Sequence, residues 1–311
     1  MVIPESGNYI NPLPLPLVKG GRDRVVDTTF YFLPSMSEIL QGRQLAQAIR
    51  EKVAKQIKKE KQPLGLAAIL VGNNSASKLY VSLKEQAAKE VGMYFERFDL
   101  PARVSQKELI DVIEKLNARN DINGILVQFP LPNQNEDKVV RAIDPRKDID
   151  GFHPINREGW STEHPAIFPP VALATMELIN ASHQPLHGKQ AVIIGNSELF
   201  AQPITVLLNK EGVDVQRFSP DESALASKTR TADIVIVAVG RADFLTRDMV
   251  KDGAIVIDIG TNKKEGKNVG DAAENVKGVA GFISPVPGGV GPLTVAYLLK
   301  NVVDASKMQK K

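Results

Sequence analysis

LAAILVGNNSASKLYVSLKEQAAKEVGM, Leu66 to Met93, contains one complete strand-to-helix unit, and the rest of the chain is read outward from it. Leu66 to Val71 is an unbroken apolar run closed by Gly72 and two asparagines, the pattern of a buried strand. A helix from about Ser75 to Glu90 follows. Upstream, Leu45, Ile49, Val53 and Ile57 recur every four residues, which predicts another helix. Downstream, Leu109, Ile110, Ile113 and Leu116 mark a further helix, and Gly124 to Phe129 a further strand. Strands alternating with helices of this length predict a parallel α/β sheet.

After a Pro- and Gly-rich stretch from Asp150 to Pro170, the alternation restarts. Strands are expected at Ala191 to Gly195, Val213 to Phe218, Asp233 to Val239, Ala254 to Ile259 and Val279 to Ile283. The first opens into a glycine turn and a helix, the Rossmann order. A last helix, Leu293 to about Ala305, follows the run PVPGGVGP and is expected to return to the first domain, giving two hinges and an interdomain cleft. The fold class is therefore a two-domain α/β protein. A three-layer α/β catalytic domain is expected over 36–156, completed by 286–311, with a Rossmann-like nucleotide domain over 157–285. Residues 1–35 read as an extension without periodicity. Two explanations stand for it: an upstream start or appended segment with Met36 beginning the catalytic chain, or packing on the domain or a subunit contact through Phe30, Tyr31, Phe32 and Leu33.

With 311 residues and 43% apolar composition, the chain has material for two medium cores. No run reaches the roughly 18 apolar residues of a membrane-spanning helix, and no secretory pattern opens the sequence, so a cytoplasmic protein is expected. Thirty-nine Lys and Arg against 36 Asp and Glu leave a charge of +3, too balanced for a nucleic-acid surface. Without cysteine there is no thiol chemistry or thiolate zinc site, and His153, His164, His183 and His187 lack metal-ligand spacing. No metal is expected.

Ser77, Tyr80 and Lys84 project from one side of a predicted helix in neighbouring turns, where a lysine beside a phenol and a hydroxyl can pass protons. By spacing alone, a solvated helix face carrying Lys78, Lys84 and Lys89 is the favoured reading. The surrounding segment resembles the first signature of the methylenetetrahydrofolate dehydrogenase/cyclohydrolase family, V-G-x-x-x-A-S-x-x-Y-V-x-x-K closing on a glycine, through Val71, Gly72, Ala76, Ser77, Tyr80, Val81, Lys84 and Gly92. GILVQFPLP (124–132), KDIDGFHPIN (147–156) and ISPVPGGVGPLT (283–294) resemble three further signatures in the same order.

The resemblance implies a catalytic group of Lys84, Tyr80, Gln128 and Asp150, with Lys84 central to cyclohydrolase chemistry, Tyr80 stacking on the folate and Asp150 at the pterin edge. It implies that Ser77, Tyr80, Val127, Asp150, Pro287, Gly288 and Gly289 bind a tetrahydrofolate substrate, and that Gly195, Asn196, Ser197, Ser219 and Thr261 bind NADP or NAD. A homodimer is also implied. Physically, a lysine held near a cationic methenyl intermediate has its ammonium form disfavoured. A neutral amide at Gln128 orients it without re-pinning the proton as a carboxylate would.

The nucleotide loop departs from the family pattern, which has glycine-arginine-serine after the first strand of this domain and a second glycine further on. Here Asn196 stands for the arginine that pairs with the 2′-phosphate of NADP, and Ala201 for the second glycine. Phe200 and Ala201 add bulk near the pyrophosphate, and Glu198 puts negative charge at a helix end suited to phosphate. Beyond the second strand, Phe218, Ser219, Pro220 and Asp221 replace His-Ser-x-Thr; Asp221 favours a free ribose and NAD, while Arg217 offers a replacement guanidinium. PPVALA, Pro169 to Ala174, replaces Pro-Cys-Thr-Pro-x-Gly. The expected function is oxidation of 5,10-methylenetetrahydrofolate with NAD(P)+ and hydrolysis of the methenyl product to 10-formyltetrahydrofolate. A cyclohydrolase with weakened or lost dehydrogenase, and a non-catalytic folate-binding paralogue, are the alternatives.

Overall fold

The computed structural model describes residues 37–60, 63–162 and 166–310; the extension expected over 1–35, with its aromatic segment, lies outside them. A short strand β1 (Glu38–Ile39) leads into helix α1 (Gly42–Ile57), whose buried Ala46, Ile49, Val53 and Ile57 keep the spacing seen in the sequence. β2 (Gly65–Val71) is buried throughout. α2 (Ser75–Glu90) starts where Asn74 Oδ1 accepts the Ser77 amide at 3.0 Å, an N-cap. β3 (Tyr94–Leu100) is a strand that the apolar periodicity hides, since Glu96, Arg97 and Asp99 suit its position at the sheet edge. α3 (Gln106–Asn117) opens with a capping box of Ser105 and Glu108, and β4 (Gly124–Gln128) and α4 (Glu136–Ala142) follow.

β3, β2 and β4 form a parallel sheet in that order. Strand alternation divides its two faces. Leu66, Ala68, Leu70 and Leu126 join the core that contains α1 and α2, whereas Ala67, Ile69, Val71, Ile125 and Val127 join Leu109, Ile113 and Leu116 of α3 and Val139 of α4. Three layers result, as expected.

Two helices follow in the stretch that reads as irregular from Asp150 to Pro170 and just beyond: α5 (Pro154–Gly159) and α6 (Pro170–Ala181), each with proline in its first turn. Then come β5 (Gln190–Gly195), α7 (Glu198–Lys210), β6 (Asp214–Phe218), α8 (Leu225–Thr229), β7 (Ile234–Ala238) and β8 (Ile255–Asp258). A hairpin of β9 (Asn262–Lys264) and β10 (Lys267–Val269) precedes β11 (Phe282–Ile283). The second sheet is parallel, in the order β1, β11, β8, β7, β5, β6, so the first described strand of the chain extends the later sheet. Strand order reverses between β5 and β7, which opens a ligand crevice at their carboxyl ends.

The last helix, α9 (Val290–Gln309), begins three residues before the sequence reading places it, because Pro292 sits in the first turn where no amide is needed. It packs on α1, α2, α6 and β4. Among its buried Leu298, Leu299, Val302 and Val303 stands one amide, Asn301. Its Nδ2 donates to the carbonyls of Ile149 and Phe168, both at 2.9 Å, tying the two ends of the 150–168 crossover to one helix.

Candidate active site

Ser77, Val81, Lys84 and Ala88 follow one another at four- and three-residue steps, so α2 turns all four toward the sheet. Val81 and Ala88 complete the core, and Lys84 is half-buried at its margin. On β4 the same alternation puts Gln128 on the α2 side with Leu126. Lys84 Nζ donates to Gln128 Oε1 at 2.9 Å, and Gln128 Nε2 donates to the Phe129 carbonyl at 2.8 Å. The second bond fixes which end of the amide meets the amine. Burial lowers the Lys84 pKa from its ordinary value, and Asp150 partly opposes the fall.

Asp150 is held by a built turn. Buried Asp148 accepts the amides of Gly151 and His153 at 3.1 and 2.7 Å and Nδ2 of Asn156 at 3.0 Å. Gly151 has φ +74°, and a Cβ there would lie 2.5 Å from the Ile167 carbonyl, so the Asp-Gly sequence is a steric requirement. Buried Lys147 anchors the start of the turn by donating to the carbonyls of Leu116, Asn117 and Arg119 at the end of α3. Burial pushes the Asp150 carboxyl up to about 6, against the pull of Lys84 and with a contribution from Asp148. An amine shifted down and a carboxyl shifted up, neighbours in one site, suit proton transfer near neutrality.

Helix α2 gives its three expected residues different exposures. Ser77 is 3% exposed and Lys84 faces inward, but Tyr80 is 44% exposed. It lines a cavity of about 450 Å³ with Arg43, Leu83 and Pro292. The Val127 side chain is in the core beneath α3, so only its backbone can face a ligand. Pro287, Gly288 and Gly289 form the turn into α9, with a cis Val286–Pro287 bond and Gly288 at φ +115°. A Cβ on Gly42 would lie 2.0 Å from the Gly289 carbonyl, so this turn is pressed against the start of α1.

The cofactor-binding residues expected from the resemblance gather at the carboxyl ends of the second sheet. Gly195 ends β5, Asn196 is exposed, and Ser197 caps α7 by accepting the Phe200 amide at 3.3 Å. Phe200 flanks Gly195, 3.7 Å from where a Cβ would be, and Ala201 is buried in the helix interior. Ser219 and Thr261 are exposed just after β6 and β8. Glu198 and Arg217 form an ion pair with each other, and Arg241 binds Asp221 at 2.8 Å.

Two further carboxylates carry this region. Buried Asp271 accepts the amides of Val239, Gly240 and Arg241 at 2.6, 3.1 and 2.9 Å, shaping the turn after β7. Buried Asp258 accepts those of Gly260, Asp271 and Ala272 at 3.0, 3.0 and 2.8 Å, and burial pushes it up to about 6. Neither was among the residues the sequence singles out, nor was Asn301. The available signal was a polar residue interrupting an apolar run, as in IVID and LLKNVV.

Residues 40–150 match the catalytic domain of the tetrahydrofolate dehydrogenase/cyclohydrolase family, and residues 169–310 match its NAD(P)-binding domain. The bifunctional protein FolD of Streptococcus agalactiae is 42% identical over 278 residues, covering 87% of this chain and 98% of that protein. The crystal structure of the bifunctional FolD dehydrogenase/cyclohydrolase of Campylobacter jejuni superposes with a TM-score of 0.85 at 39% identity, covering 88% of this chain and 99% of that one. That of Trypanosoma brucei FolD, complexed with NADP cofactor and inhibitor, has a TM-score of 0.84 at 32% identity, covering 89% and 99%. Among the described residues no helix is long and apolar enough to cross a membrane.

Proposed function

The chain belongs to the tetrahydrofolate dehydrogenase/cyclohydrolase family, and on that footing we propose that it oxidises 5,10-methylenetetrahydrofolate to 5,10-methenyltetrahydrofolate with NAD(P)+ and hydrolyses the product to 10-formyltetrahydrofolate. A cyclohydrolase with weakened or lost dehydrogenase activity and a non-catalytic folate-binding paralogue are not favoured, since the chain carries both domains and its full-length relatives are bifunctional.

The observation that carries the catalytic reading is the Lys84–Gln128 bond beside Asp150. Lys84, shifted toward its neutral form, takes a proton as water adds to the cationic methenyl carbon. The carbinol hydroxyl then gives up its proton as the carbonyl forms and the carbon–N5 bond breaks, N5 gains a proton in exchange, and the formyl group remains on N10. Asp150 lies at the pterin edge in this reading, Tyr80 offers its ring to the folate, and Ser77, the Val127 backbone and the Pro287–Gly289 turn bound the substrate.

The crevice between β5 and β7 fits a dinucleotide. Gly195 keeps the strand end narrow, Ser197 caps α7, the other first-turn amides have no partner within the helix, and Asp271 holds the facing turn. Gly195, Asn196, Ser197, Ser219 and Thr261 are the residues assigned to it. A nicotinamide held by these residues would supply the hydride acceptor, while the protein positions the reacting carbon and shields it from water. The domain division we propose is 36–156 with 286–311 for the folate half and 157–285 for the nucleotide half, with 1–35 as an extension, in a cytoplasmic homodimer. Light scattering on the purified protein tests the dimer.

Lys84→Met tests the central assignment. Conversion of methenyltetrahydrofolate, followed by absorbance, should fall by about 10²- to 10⁴-fold with the fold retained. Unchanged hydrolysis by a well-folded variant would sink it.

A further inference from the structure

Arg217 and Arg241 rise at the carboxyl ends of β6 and β7, on the rim of the crevice where a doubly wound sheet receives a ribose. Each meets a carboxylate of the same rim. Arg217 binds Glu198, the first residue of α7, across from strand to helix; Arg241 binds Asp221 at 2.8 Å. All four side chains are largely exposed, from 42% for Arg217 to 75% for Asp221, so the pairs are accessible to a ligand. The residue between strand and helix, Asn196, is neutral.

Resting on the dehydrogenase reading of this site, we infer that Glu198 is a cofactor-selectivity residue, which occupies Arg217 and sets the nucleotide preference toward NAD. Three considerations lead there. The rim holds two guanidinium groups, enough in number for a 2′-phosphate, but each is neutralised by a fixed partner. A 2′-phosphate approaching Arg217 must compete with Glu198 for the same N–H groups and is repelled by that carboxylate and by Asp221. A ribose 2′-hydroxyl is a donor that a carboxylate accepts, so NAD meets no such conflict. Exposed ion pairs are individually weak, so Glu198 biases the choice of cofactor without closing the site to NADP.

The test is titration calorimetry of the whole protein with 5′-AMP and adenosine 2′,5′-bisphosphate, then with NAD and NADP, at one ionic strength. Wild type should bind the 2′-phosphorylated ligand no more tightly than its partner. Glu198→Gln keeps the side-chain shape, and should improve the ratio of 2′-phosphorylated to unphosphorylated binding about five- to tenfold, the effect of removing one exposed carboxylate close to a phosphate. Adding Arg217→Gln to that variant should abolish the gain, and raised salt should shrink it. Melting curves establish that each variant is folded. Binding of both nucleotides with an unchanged ratio in Glu198→Gln overturns this inference alone, as does a strong wild-type preference for the 2′-phosphate. Failure of every form to bind any of the four ligands overturns the dehydrogenase reading beneath it.

Discussion

Replacing Gln128 with Glu changes one atom type at the centre of the site and separates an orienting amide from a charge partner. Gln128 Oε1 lies 2.9 Å from Lys84 Nζ, so a carboxylate would stand at the same distance and pin the ammonium form. Two unit charges about 4 Å apart interact by about 4 kcal/mol at an effective dielectric near 20. Lys84 and Gln128 are only half-buried, and solvent reduces this to roughly 2 kcal/mol, which raises the Lys84 pKa. If the neutral amine is the working form, hydrolysis is present above that pKa and is lost as pH falls through it. The acidic limb of the hydrolysis profile should therefore move up, with a loss of about 30-fold at pH values below the limb. Because Gln128 Nε2 also donates to the Phe129 carbonyl at 2.8 Å, the variant forfeits that bond, worth about 1 kcal/mol and set against the ion-pair attraction. Stopped-flow absorbance of methenyltetrahydrofolate across pH, with melting curves alongside, measures both. An acidic limb that stays in place or moves down in the folded variant refutes the assignment of Lys84 as the base.

Asp150→Asn removes a carboxyl whose folded pKa is about 6 against an ordinary 3.8. The unfolded chain releases this proton first, so wild-type stability falls as pH rises from about 4 to 6; the variant should be up to about 2–3 kcal/mol more stable above pH 6 and no more stable below pH 4, and denaturant melts showing a pH-independent difference would contradict it. Asn301→Ala leaves the Ile149 and Phe168 carbonyls without their donor and should cost about 2–4 kcal/mol and raise KM for folate. An unchanged melting temperature would show that the clamp contributes nothing. Asn196→Arg should strengthen NADP over NAD by about 1.5–3 kcal/mol, since only NADP carries the phosphate that a guanidinium reaches. Equal gains for both nucleotides in calorimetry would place residue 196 away from the 2′ position.

Local periodicity was enough for the architecture. The all-apolar Leu66–Val71 and the four-residue spacing of Ile49, Val53 and Ile57 have one low-energy reading each, because burial requires those side chains to share a face. Ordered short motifs were enough for the family, and the glycine turn for the nucleotide crevice. What periodicity misses are elements without contrast: β3, whose charges suit an edge, and α6, apolar on most sides. The site was legible as a set of residue types but not as a geometry. Spacing grouped Ser77, Tyr80 and Lys84 on one side of a helix, yet packing turned Lys84 inward to Gln128 and left Tyr80 on the cavity wall. Glu198, Arg217, Asp221 and Arg241 each read as an independent surface charge in the sequence. Their pairing depends on the strand order that sets β6 beside β5 and β5 beside β7, so that residues 19 and 20 positions apart meet at one rim. Asn301 illustrates the same division: its amide is visible in the sequence as an exception within a buried stripe, but the carbonyls of Ile149 and Phe168 that it satisfies lie more than 130 residues away. They come within hydrogen-bonding distance only when α9 folds back on the first sheet.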